Sequence, residues 1–161
     1  MNKQIYMLTG ARGNDDVNFF VGAYSQWGET INISTQHNYG AENQTYRSFG
    51  WPLSPGNWYK IVMHLKMNSP GGASNGIAQM WVNDVLRIDA SDVIWRLTGQ
   101  STGFTAFEIT PVYGGGPEVI PSEQYIWFDA VLVQTDPIIV GSVPSPPLSK
   151  IPSSPSEIRI N

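Results

Sequence analysis

The chain has no cysteine and few charges: only 14% of its 161 residues are Asp, Glu, Lys or Arg. Without thiols there is no disulfide framework, no thiolate nucleophile and no thiolate metal ligand. The balance of 9 Lys and Arg against 13 Asp and Glu gives a net charge of −4. Nucleic-acid binding normally needs a basic surplus, so this mild negative charge argues against that class of partner. No apolar run approaches the roughly 20 residues a membrane-spanning helix needs. The opening Met1-Asn2-Lys3-Gln4-Ile5 has no basic start followed by an apolar core, so no signal peptide is expected in this sequence. Helical periodicity is missing too. Apolar residues do not recur at i, i+3 and i+4 over any long window, and almost no helix is expected.

What remains is a chain rich in glycine, proline and aromatics, with 16 Gly, 12 Pro and 6 Trp. That is the composition of an all-β protein with many turns. Its clearest signal lies in residues 58–83. From Tyr59 the apolar residues Ile61, Met63, Leu65 and Met67 alternate with Lys60, His64 and Lys66, the period of a strand with one buried and one wet face. A loop of Asn, Ser, Pro and Gly over residues 68–76 reverses the chain. On the returning strand Ala78, Met80 and Val82 form the apolar set, with Gln79, Trp81 and Asn83 on the other face.

Further strands are expected at residues 4–9, 17–24 and 30–36, where Ile31 and Ile33 alternate with Asn32, Ser34 and Gln36. Residues 37–48 read as a loop or irregular hairpin. Residues 85–88 form a short return, followed by a separate segment over 89–97. Strands are also expected at 104–109 and 125–133, with the glycine-rich loop Pro111 to Pro117 between them. About nine strands separated by turn signals read as a β-sandwich. The domain ends near Thr135. Beyond Asp136, six prolines (Pro137, Pro144, Pro146, Pro147, Pro152 and Pro155) punctuate a segment without aromatics, either a solvated linker or an extended arm that packs on a neighbouring subunit.

Several segments resemble a large family of concanavalin A-like (laminin G-like) jelly-roll sandwiches, found in environmental bacterial and phage sequences and related to polysaccharide lyases. The resemblance is carried by residues 55–61 (PGNWYKI), 66–70 (KMNSP), 75–84 (NGIAQMWVND), 111–115 (PVYGG) and 125–129 (YIWFD). It extends over about residues 3–135 and implies two antiparallel sheets, one concave, with glycans as the usual ligand. The family pattern carries further strands before the position of Lys3. Their absence from this sequence implies a shortened sandwich, a missing upstream segment, or an edge completed by a neighbour, the last pointing to a homo-oligomer or a larger assembly.

Sugar rings stack on Trp and Tyr through their C–H faces, while their hydroxyls seek amides and carboxylates at the rim. Trp81 shares its face with Gln79 and Asn83, beside Lys60, His64 and Lys66 on the paired strand; the competing reading places Trp81 in the core. The expected carbohydrate-binding set is therefore Asn32, Ser34, Gln36, Lys60, His64, Lys66, Gln79, Trp81 and Asn83. Trp51 and Trp58 flank a proline turn and read as loop fasteners. Trp127 and Tyr125 share parity with Asp129, on the wet face or over the end of the sheet.

Function divides three ways. The first expectation is a non-catalytic, lectin-like domain for an extracellular or cell-surface polysaccharide, with Lys60 and Lys66 favouring an acidic glycan. The second is a structural or decoration protein of a virion surface or other extracellular assembly. The third is a polysaccharide lyase acting on a uronic-acid polymer, which needs a base, an acid and a carboxylate neutraliser; His64, Lys66, Gln79 and Tyr125 supply those types. A glycoside hydrolase is disfavoured, since Glu108 stands alone on its strand, with no second carboxylate two or four residues away. No cofactor is expected. The donors a Ca²⁺ ion would use, Asn14-Asp15-Asp16, Asn83-Asp84 and Asp129, read first as turn formers. Gly114, Gly115 and Gly116 do not form a phosphate loop, because no Lys-Ser/Thr follows.

Overall fold

In a computed structural model of the chain, residues 2–8, 31–34, 46–49, 57–113, 127–136, 138 and 140–141 are described, the first three stretches and 110–113 by backbone alone. The strands are β1 (Asn2–Leu8), β2 (Ile31–Ser34), β3 (Tyr46–Phe49), β4 (Ile61–Lys66), β5 (Gly76–Val82), β6 (Val85–Val93) and β7 (Ala106–Tyr113). All pairing is antiparallel, and there is no helix among the described residues. This described part is all-β.

The central element is a three-stranded sheet in the order β4-β5-β6. Its register sets Ile61 opposite Val82, Met63 opposite Met80 and Leu65 opposite Ala78. Directly opposed residues share a face, so these six form one apolar surface. Ala78, Met80 and Val82 are completely buried there, joined by Ile88 and Ala90 of β6. The one-residue offset puts Val62, His64 and Lys66 opposite Trp81, Gln79 and Ile77 on the outer face. The alternation of faces read from residues 59–67 and 77–83 is observed, but Lys60 and Val62, on the face read as wet, are buried.

Trp95, just past β6, closes the core. Its ring is 0% exposed, donates Nε1–H to Ile77 O at 3.1 Å and meets Phe104 edge-on, with centroids 5.6 Å apart. Such a T-shaped pair adds to the gain from burial alone. Tyr59, Ile61, Met63, Leu65 and Met67 pack against the same cluster.

Two connections fix the sheet. Between β5 and β6, Asn83 and Asp84 have φ of 49° and 65°, the left-handed pair of a two-residue type I′ hairpin, and Asn and Asp tolerate that region best after glycine. Between β4 and β5, the loop is stitched to the segment after β6. Asn68, wholly buried, accepts from Trp95 N and Arg96 N, each at 3.0 Å, and donates to Arg96 O at 2.9 Å. Arg96 answers with Nε to Asn68 O at 2.9 Å.

The remaining strands form two further ladders, β1 with β7 and β2 with β3, and β3 lies against β6. Several sequence expectations need revision. β6 runs unbroken from Val85 to Val93 where a break after Ile88 was expected, because two register shifts against β5 interrupt the alternation without ending the strand. β3 overlaps the end of the stretch read as a loop or irregular hairpin, and its antiparallel pairing with β2 fits the hairpin alternative. β7 continues through Pro111 to Tyr113, where the glycine-rich loop was expected to begin; a register shift between Lys3 and Ile5 on β1 accommodates the proline, which cannot donate to a ladder. Residues 127–133 are not a strand. Ala130 there has φ 51°, and its N–H bonds locally to Asp129 Oδ1 at 2.7 Å. The strand expected at 17–24 and most of the proline-rich segment lie outside the described residues.

Candidate functional site

The outer face of the β4-β5-β6 sheet is organised in rows. Neighbouring strands lie about 4.8 Å apart and same-face residues about 7 Å apart along a strand, so three strands carry a row about 10 Å wide. The central row is polar. His64, Gln79 and Asp89 stand side by side on β4, β5 and β6. His64 Nδ1 lies 3.0 Å from Gln79 Oε1, and Gln79 Nε2 donates to Asp89 Oδ1 at 2.8 Å. His64 and Asp89 are exposed and Gln79 is half-buried.

One row towards the β5–β6 hairpin, half-buried Trp81 sits between Val62 and Leu86. Trp81 is thus on the outer face, not among the core residues. One row in the other direction, exposed Lys66 stands opposite Ile77. The face therefore carries an aromatic surface, a hydrogen-bonding row and a cation in sequence along the strands. That combination suits a ligand with apolar faces, hydroxyls and negative charge.

The hairpin end of the same face is closed. Lys60, 8% exposed, makes an ion pair with Asp84, Nζ to Oδ2 at 2.6 Å. Its backbone N–H donates to Asn83 Oδ1 at 3.0 Å, and its carbonyl accepts from Asn83 N at 2.9 Å. Lys60 and Asn83, both expected to face a ligand, brace the hairpin instead. Asn32 and Ser34 lie on β2, which pairs with β3 and not with this sheet. Gln36, Tyr125, Trp51 and Asn14-Asp15-Asp16 lie outside the described residues, and Trp58 and Trp127 are half-buried. Of the expected set, the structure brings together His64, Lys66, Gln79 and Trp81.

Asp89 was missed. The signal that would have found it is the parity of β6 counted back from Ala90 and Ile88, whose small and apolar side chains point inward. Among the described residues, no group of three or more His, Cys, Asp or Glu side chains is placed to hold a metal ion.

Fold and face together define an antiparallel all-β protein whose exposed sheet surface offers stacking and hydrogen-bonding groups. A family model for polysaccharide lyase 14 matches residues 18–131, a span that includes all of β2 to β7. The chain belongs to the polysaccharide lyase 14 family, which ties its function to polysaccharide. Comparison with curated proteins and with solved structures gave no match.

Proposed function

We propose that the protein binds an acidic polysaccharide across the outer face of the β4-β5-β6 sheet, as the ligand surface of a jelly-roll sandwich. The observation that carries this reading is the His64–Gln79–Asp89 row, already hydrogen-bonded and exposed, between Trp81 and Lys66. A sugar ring stacks on the indole, its neighbour's hydroxyls meet the polar row, and Lys66 pairs with a uronate carboxylate. Family membership supports polysaccharide as the ligand class. Isothermal titration with a polyuronate and with a neutral glucan tests it. Binding to the polyuronate alone, lost in Trp81→Ala with an unchanged melting curve, is the expected result; equal binding by Trp81→Ala would remove this face from the account.

The second reading is that the protein also cleaves the polymer by β-elimination. Its support is the family itself and the position of His64, a base type beside Lys66 on an exposed face. In that reaction a base takes the proton α to the uronate carboxylate. The bond to the leaving glycosidic oxygen breaks, a carbon–carbon double bond forms, and an acid protonates the released oxygen. Ultraviolet absorbance of the unsaturated product, abolished in His64→Ala, distinguishes cleavage from binding alone.

A further inference from the structure

The hydrogen-bonded row fixes more than the position of its side chains. Asp89 presents a carboxylate, which accepts hydrogen bonds and does not donate them. The Gln79 amide therefore turns its NH₂ towards Asp89, at 2.8 Å, and leaves Oε1 facing His64, at 3.0 Å. Oε1 carries no proton, so the contact is a hydrogen bond only if His64 Nδ1 donates. A neutral imidazole has one N–H, and Nε2 is then left with its lone pair. Among the described residues Nε2 has no partner of its own, and the ring is exposed.

We infer that Gln79 and Asp89 are positioning residues that hold neutral His64 in the Nδ1–H tautomer, so that the sheet presents Nε2 to the ligand as an acceptor. This rests on the polysaccharide-binding reading and adds to it a division of labour. His64 reads a sugar hydroxyl, a donor, while Lys66 reads the carboxylate. Neither role can be exchanged for the other while the row is intact, because an acceptor nitrogen repels a carboxylate.

The tautomer is read directly from long-range ¹H–¹⁵N correlation spectra of the full chain, labelled with ¹⁵N, at alkaline pH. The chain has 2 histidines, and a His64→Gln variant assigns the signals. The expected spectrum has a protonated, pyrrole-type Nδ1 and a bare, pyridine-type Nε2. Gln79→Met removes the acceptor and Asp89→Ala removes the anchor of the amide. Each should shift the tautomer ratio towards Nε2–H by roughly two- to tenfold, the size of one net hydrogen bond. Asp89 is exposed, so Asp89→Ala carries the test if Gln79→Met does not fold. A wild-type spectrum with Nε2–H, or a ratio unmoved in the folded variants, overturns the positioning role.

Titration with a polyuronate separates the two levels. Weaker binding in the variants whose tautomer has shifted supports the reading of a hydroxyl, and unchanged binding overturns it. If the wild type binds no polyuronate, the binding reading fails, and the spectrum still decides the role of Gln79 and Asp89.

Discussion

Lys60 and Asp84 close the β5–β6 hairpin onto the start of β4 through an ion pair of 2.6 Å, with Lys60 almost wholly buried and Asp84 41% exposed. The pair costs less to bury than two inner charges would, because one partner keeps its water. Asp84→Asn preserves an acceptor and a residue at ease with positive φ, so it removes charge alone. It should lower stability by about 1 kcal/mol. Asp84→Ala also loses tolerance of the left-handed turn and should cost about 2 kcal/mol. Urea denaturation of the two variants checks the order.

Asn68→Ala should be far more damaging. It strips the acceptor from two backbone N–H groups, that of Trp95 buried and that of Arg96 partly so. Leaving buried donors unsatisfied costs about 1–3 kcal/mol each, so a loss of about 3 kcal/mol or more is expected. The measurement is again the denaturation midpoint, and a loss under 1 kcal/mol would show that the stitch is dispensable.

A third stability prediction concerns Gly76, at the start of β5. A Cβ there would lie 2.5 Å from Val93 O and 2.6 Å from Trp95 Cδ1. Neither neighbour can yield cheaply, one being backbone and the other a ring buried against Phe104. Gly76→Ala should cost about 2 kcal/mol and blue- or red-shift the Trp95 fluorescence as the ring is displaced.

These same residues show what the sequence discloses and what it does not. The inner and outer sets of β4 and β5 are legible because alternation is local: each residue's face follows from its neighbour's. Asp89 is legible only in part: parity turns it outward, but its place beside Gln79 depends on the register shift between Met80 and Trp81, which leaves no mark on composition. Asn68 read as an ordinary loop residue because its partners, Trp95 and Arg96, stand far along the chain. Lys60 shares parity with His64, yet parity cannot tell that Asp84 returns to neutralise it. Periodicity finds the face, and only the long-range pairing finds which of its members are already spoken for.

Binding should respond differently to the two ends of the open face. Trp81→Ala should reduce affinity for a polyuronate at least tenfold, or about 1.4 kcal/mol. Its core is untouched, since Trp81 packs on the outer surface. Lys66→Gln should weaken binding mainly at low salt and flatten its dependence on ionic strength, as expected for an exposed charge. Titrations at two salt concentrations distinguish the effects.

The central claim is that polysaccharide lies on the outer face of the β4-β5-β6 sheet. The most direct test follows the ¹H–¹⁵N spectrum of the protein while polyuronate oligosaccharides are added. The account predicts progressive shifts of the Trp81 indole N–H, the Gln79 side-chain amide and the backbone around His64 and Lys66, with Trp95 and Asn68 unmoved. Shifts confined to other segments, or none at saturating oligosaccharide, would contradict it.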